Sequence, residues 1–147
     1  MESFKLSELQ KKYQSDRAHS LTEEQFGSLV LFYPSLLIIA SDGKIDEEEW
    51  LYVDYLAKFI ADTFKNEISA EARDQLQDKY LDELKYLANN LEKWESEFIE
   101  VLKDYISVHE EVKEDVEDIL HLFAEASDGK SDEEEIKIEE LKSVLQI

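Results

Sequence analysis

The sequence predicts an all-α protein, a single-domain bundle of about seven helices. Its 147 residues include one proline and three glycines, so few positions interrupt a helix. No segment has the alternating polar and apolar pattern of a strand, and apolar residues instead recur at helical spacing. A ten-residue stretch that occurs twice predicts that two pairs of helices are joined by the same kind of turn.

The repeated stretch reads Ala-Ser-Asp-Gly-Lys-Ile-Asp-Glu-Glu-Glu at 40–49 and Ala-Ser-Asp-Gly-Lys-Ser-Asp-Glu-Glu-Glu at 126–135. The two copies differ only at Ile45 and Ser131. Two of the three glycines of the chain lie in these copies, so a chance match is a poor explanation. In each copy the glycine follows an apolar segment, where it can close a helix in the left-handed conformation.

The acids of each copy have a structural role to fill. Asp46 and Asp132 are good N-cap residues for the helix that follows the turn. Glu49 and Glu135 stand three residues later, which is the arrangement of a capping box. Each copy therefore predicts a helix, a tight acidic turn and a second helix.

The first two helices precede the first copy. We expect the first helix at about Phe4–Gln14. Thr22, with Gln25 in the capping-box position, starts the second helix, which is apolar on nearly all sides and should be the buried central element. Pro34 lies in its interior and is expected to kink it or to split it near Tyr33.

Five more helices complete the predicted bundle. The third ends near Lys65, Ser69 caps the fourth, and the last covers about Glu133–Leu145. Their predicted apolar faces are Trp50, Val53, Ala57, Ile60 and Phe64 in the third; Ala72, Leu76, Tyr80, Leu84 and Leu87 in the fourth; Trp94, Phe98, Val101, Leu102 and Tyr105 in the fifth; Val112, Val116, Ile119, Phe123 and Ala126 in the sixth; and Ile136, Ile138, Leu141 and Leu145 in the last. Helices two and three (about 22–65) and six and seven (about 110–146) are expected to form equivalent hairpins. The repeat suggests a pseudo-two-fold arrangement of the hairpins, which could bring the two turns near each other, although the repeat alone does not fix their distance.

Charge is the strongest global feature. The formal net charge is −21, and residues 1–40 hold five acids and four bases, so residues 41–147 carry −20. Direct binding to nucleic acid or to an anionic membrane surface is thereby disfavoured. A cation or a basic protein is the expected partner.

Composition also bears on the compartment. The chain has no cysteine, which excludes disulfides and thiolate metal sites and agrees with a reducing, cytoplasmic location. The first ten residues lack the apolar region of a signal peptide. The longest apolar stretch, residues 29–40, is too short to span a membrane.

The repeated turns are the candidate metal site. Calcium, magnesium and manganese prefer several carboxylate oxygens around one point. The candidate ligands are Asp42, Asp46, Glu49, Asp128, Asp132 and Glu135. An EF-hand is excluded, because its first and third ligand positions would fall on Ile38 and Ala40. Helix capping explains the acids after each turn equally well, so metal binding and a purely structural role both stay open.

At these turns the sequence resembles the TerB-like tellurite-resistance family. That family has an Ala-x-Asp-Gly-x-[hydrophobic]-x-x-x-Glu turn between two helices, matched here from Ala40 to Glu49 and again from Ala126 to Glu135, except that Ser131 replaces the hydrophobic residue. The resemblance implies a compact seven-helix domain whose acidic residues bind a divalent metal. It also implies a role in the bacterial response to tellurite or other chemical stress, in phage defence, or in a membrane-associated complex.

The expected function is therefore a non-enzymatic, cytoplasmic metal-binding or protein-interaction module in a stress response. One alternative is an acidic decoy that imitates the charge of nucleic acid and occupies a basic protein, which the −20 of residues 41–147 motivates. Another is a metal-dependent enzyme that uses the carboxylates of both turns. The resemblance implies no catalytic residues.

Overall fold

The computed structural model describes residues 4–17, 21–41, 45–121 and 132–147, which fold into helices. The seven α-helices of these ranges are α1 (Phe4–Ser15), α2 (Glu23–Ile39), α3 (Glu47–Asp62), α4 (Ala70–Ala88), α5 (Leu91–Val108), α6 (Lys113–Leu120) and α7 (Asp132–Leu145). A single 3-10 turn, Glu110–Val112, leads into α6. No strand occurs among the described residues. The predicted all-α fold of about seven helices is confirmed.

Side-chain caps begin α2 and α4 where they were predicted. The backbone N–H of Gln25 donates to Thr22 Oγ1 over 3.1 Å, and the backbone N–H of Thr22 donates to Gln25 Oε1 over 3.0 Å. Ser69 Oγ accepts from the backbone N–H of Ala72 over 3.1 Å. Each cap supplies a partner for a backbone N–H group that the first turn of a helix otherwise leaves unsatisfied.

Helix α2 is the central element, as its all-round apolar sequence predicted. It packs against each of the other six α-helices. The expected split at Pro34 is wrong, because α2 runs unbroken from Glu23 to Ile39. Proline cannot donate to the carbonyl of Val30, but Pro34 and its neighbours are buried on a helix that packs on all sides. That packing outweighs the one lost hydrogen bond.

One hydrophobic core connects the described helices. An aromatic cluster forms its centre, with Phe98 of α5 in contact with the rings of Tyr13, Phe26, Tyr33 and Trp94 at centroid distances of 4.6–6.2 Å. Three of these four ring pairs meet edge to face, a favoured arrangement of aromatic pairs, and the Tyr33 pair is tilted. Residues from α1, α2 and α5 are thereby joined in one contact group.

The predicted core residues of α7 need one correction. Ile138, Leu141 and Leu145 are buried, but the side chain of Ile136 is 65% exposed. Residues two apart on a helix are separated by about 200° around its axis, so Ile136 and Ile138 cannot both face the core. Ile138, Leu141 and Leu145, which are three and four residues apart, form the buried face of α7.

The equivalence of the two hairpins is not tested by the described residues, because the second turn lies outside them. The predicted core positions Phe123 and Ala126 also lie outside. In the described part, no helix is long and apolar enough to cross a membrane.

Candidate functional site

The first acidic turn ends in a capping box at the start of α3. The backbone N–H of Glu49 donates to Asp46 Oδ1 over 2.8 Å, and the backbone N–H of Asp46 donates to Glu49 Oε1 over 3.1 Å. Asp46 has extended backbone angles (φ −84°, ψ 179°), as an N-cap requires. The predicted capping role of both acids is confirmed, and one oxygen of each carboxylate is used in it.

The second copy of the repeat is described only from Asp132 onward. Helix α7 covers Asp132–Leu145, and Ser131 and the side chain of Asp132 lie outside the described residues, so the predicted capping box of Asp132 and Glu135 is not tested. Glu135 lies on the exposed side of α7.

The structure brings two of the six predicted ligands together, Asp46 with Glu49. Asp42 and Asp128 lie outside the described residues, as does the side chain of Asp132, so the distance between the turns is not tested. Within the described ranges, no group of three or more Asp, Glu, His or Cys side chains could hold a metal ion. The carboxylates suit a hard cation in type, but the described geometry of Asp46 and Glu49 is that of a cap.

A second acidic surface lies on the 3-10 turn and α6. Glu110, Glu111, Glu114 and Asp115 are exposed there, whereas Val116 is fully buried on the opposite side. The predicted apolar position Val116 is confirmed, and the acids lie on the solvated side. Negative charge near the start of a helix is also favoured by the helix dipole.

Many basic side chains are already paired with acids of the same molecule. Eight of them have a nitrogen within 4 Å of a carboxylate oxygen: Lys5, Lys12, Arg17, Arg73, Lys93, Lys113, Lys137 and Lys142. The whole chain has 37 acids and 16 basic residues, so these pairs leave a large excess of carboxylates. The surface therefore attracts cationic groups, and salt screens that attraction.

Sequence reasoning missed one carboxylate inside the bundle. Glu83 of α4 is 1% exposed, and its Oε1 accepts from the hydroxyl of Tyr13 over 2.7 Å and from Arg17 Nε over 2.8 Å. The Arg17 guanidinium also lies over the ring of Tyr86, 4.2 Å from its centroid. Burial, and then the hydrogen bond to Glu83, raise the pKa of Tyr13 far above its usual range.

A signal for Glu83 was present in the helical pattern. It lies three residues after Tyr80 and four before Leu87, both buried, so it occupies a core position of α4. An acid at such a position needs a buried partner. The network is structural, because its buried hydrogen bonds join Tyr13 of α1 to Glu83 of α4.

No protein-family model, curated protein or solved structure matches this chain. The resemblance to the TerB-like family therefore still depends on the two Asp-Gly turns, together with the all-helical fold.

Proposed function

We propose that the chain is a non-enzymatic, acidic interaction module of TerB-like type that binds a basic protein partner. The observation that carries the proposal is the excess of surface carboxylates that remains after the internal ion pairs are formed. Complementary charge raises the rate of association and selects among partners. A cytoplasmic role in a tellurite or other stress response is proposed from the family resemblance alone.

The test asks whether binding depends on one face or on total charge. Two triple variants each remove three negative charges: Glu47→Gln/Glu48→Gln/Asp54→Asn on α3, and Glu110→Gln/Glu111→Gln/Glu114→Gln before and on α6. All six side chains are exposed, so both variants should fold. Binding of a lysine-rich helical peptide is measured by fluorescence anisotropy at physiological salt.

If the chain has a defined binding site, one variant should lose most of its affinity for the peptide and the other should lose little. Equal losses in both variants contradict a defined site, and they favour the acidic decoy, whose binding follows overall charge and falls steeply with salt. No binding of the native protein at physiological salt contradicts both.

A second candidate function is divalent-cation binding at the repeated turns. It is favoured by the repetition of Asp42 and Asp128, because these residues precede the turn glycines and have no capping duty toward the next helix. Calorimetric titration of chelator-treated protein with calcium, magnesium, manganese and zinc tests it. We expect saturable binding that disappears in Asp42→Asn/Asp128→Asn and persists in Asp78→Asn/Glu92→Gln, which removes the same charge elsewhere. Binding that is equal in both variants would assign the ion to diffuse charge.

A further inference from the structure

Helix α3 carries apolar side chains on the side that faces away from the core. Leu51, Tyr55 and Phe59 are 53%, 52% and 48% exposed. Residues four apart lie one above the other on a helix, so the three form a line along α3. The opposite side of α3 supplies Val53, Leu56, Ala57, Ile60 and Ala61 to the core. We call the line of Leu51, Tyr55 and Phe59 the α3 stripe.

The α3 stripe differs from the other exposed apolar residues of the described structure. A helix on the surface of a globular protein normally presents polar residues to water. Val108 lies near the end of α5, and Ile136 and Val144 lie eight residues apart on α7. Only α3 places large exposed apolar residues on successive turns in the described ranges. Contiguous exposed apolar surface is typical of an interaction site.

Acidic side chains border the α3 stripe. Glu47 and Asp54 lie four and three residues from Leu51, and Glu48 is on the same exposed side; all three are exposed. Lys58 is the one basic residue between them and the end of α3. A complementary partner would place apolar side chains on the stripe and basic side chains on its acidic border.

Helix α1 of the protein itself has an apolar face with lysines at its edge, and it packs against the rest of the bundle. Leu6, Leu9 and Tyr13 of α1 are buried against the core. At the edge of α1, Lys5 pairs with Glu100 and Asp104 of α5, and Lys12 pairs with Glu97 of the same helix. Helix α1 thus shows that carboxylates of this bundle hold an apolar helix face bordered by lysines.

We propose that the α3 stripe is the docking site for an amphipathic helix of a partner protein, with an apolar face bordered by lysine or arginine. The proposal rests on the proposed function and names its binding surface. The 16 residues of α3 extend about 24 Å, enough for an adjacent helix of similar length. A second copy of this chain is a poorer occupant, because it would bring two acidic borders together.

The experiment uses two synthetic peptides of about 18 residues, or five helical turns, built from leucine, alanine and lysine. In one peptide the leucines form a single helical face, and the other has the same composition in scrambled order. Their affinities are measured by fluorescence anisotropy at physiological salt with the native protein, with Leu51→Ser/Tyr55→Ser, and with the control Val108→Ser/Ile136→Ser. Circular dichroism checks that each variant is helical, and sedimentation gives the oligomeric state.

We expect Leu51→Ser/Tyr55→Ser to bind the patterned peptide at least about tenfold more weakly than native protein, because two apolar contacts are lost. The control should bind like native protein, and the scrambled peptide should bind weakly to all three. Equal binding of the patterned peptide by all three proteins overturns the α3 docking site.

The two proposals fail in different ways. If the α6 charge variant loses affinity and the α3 variants do not, a defined site exists but the α3 stripe is not that site. If the peptides bind equally to every variant, the defined site itself fails. A dimer that dissociates in Leu51→Ser/Tyr55→Ser would assign the stripe to a second copy and overturn the proposed partner.

Discussion

Glu83 illustrates what a buried charge requires of its neighbours. Its side chain accepts hydrogen bonds from Tyr13 and Arg17, and Arg17 also reaches Asp82 with Nη2 over 3.1 Å. Removing one partner of a buried ion pair costs about 3–5 kcal/mol, because the remaining charge stays out of water without compensation. Arg17 comes from the segment after α1, so this carboxylate is one of the contacts that hold the end of the first helix against α4.

Buried tyrosines make the stability of the protein sensitive to alkali. Burial raises the pKa of Tyr13, Tyr33 and Tyr80 well above 10, the usual value for tyrosine. The unfolded chain releases these protons near pH 10 and the folded chain retains them, so their contribution is fully present below pH 10 and is lost above it. Each tyrosine should lower the free energy of unfolding by about 1.4 kcal/mol per pH unit above 10.

Denaturant unfolding at a series of alkaline pH values measures this slope, and absorbance of the phenolate reports ionisation. Tyr33→Phe is the matched variant, because the Tyr33 hydroxyl is buried and has no hydrogen-bond partner in the described structure. This variant should make the fall in the free energy of unfolding with pH less steep by the contribution of one tyrosine, and it removes no hydrogen bond. Ionisation of all seven tyrosines near pH 10 with helical structure intact would contradict the expectation.

At the scale of elements, caps and turns define the helices more sharply than their apolar faces do. The starts at Thr22, Asp46 and Ser69 were predictable, because a side chain of the right type stood next to an apolar periodic segment. The continuity of α2 through Pro34 could not be decided from local sequence, which left both a kink and a split open. It depends on packing from other helices, which the local pattern does not contain.

The capping box of α3 provides a test that separates capping from metal binding. Asp46→Ala removes the side-chain acceptor for the Glu49 N–H and should lower the free energy of unfolding by about 1 kcal/mol. In a chain of this length that corresponds to a fall in Tm of about 2–4 °C. Ser69→Ala, which removes the cap of α4, is the control of similar size. Thermal unfolding is recorded with chelator and with excess calcium.

If Asp46 acts only as a cap, Asp46→Ala should lower the Tm by the same amount with chelator and with excess calcium. Ser69→Ala should also give the same fall in Tm in both conditions. A loss that grows when calcium is added would mean that Asp46 also binds the ion in the folded state, since a ligand that binds only folded protein adds to its stability.

At the scale of the whole molecule, the sequence was sufficient for the helical architecture but not for the site. Helical spacing and two Asp-Gly turns predicted the bundle, because periodicity reports directly on which side of a helix is buried. The same spacing left Leu51, Tyr55 and Phe59 off the predicted core face of α3, but it assigned them no role. That no other described element covers enough of them to bury them depends on the packing of the whole bundle, which the spacing does not contain.

The excess of acidic residues likewise does not identify which carboxylates form a site. The 37 acids predict a cationic partner, but their abundance hides the few that matter, such as Glu83 inside the bundle and Glu47 beside the α3 stripe. The predicted metal ligands Asp42 and Asp128 remain a prediction from the repeat. Burial and neighbours distinguish one carboxylate from another, and these are properties of the fold.

The pairing of α1 with α5 also determines when the bundle can be completed during synthesis. Lys12 and Glu97 are 85 residues apart in the chain. At about 5–20 residues per second, roughly 4–17 s separate their emergence from the ribosome. A 12-residue helix is marginal in water without tertiary contacts. Helix α1 can meet α2 soon after synthesis, but its contacts with α5 can form only when that later helix has emerged.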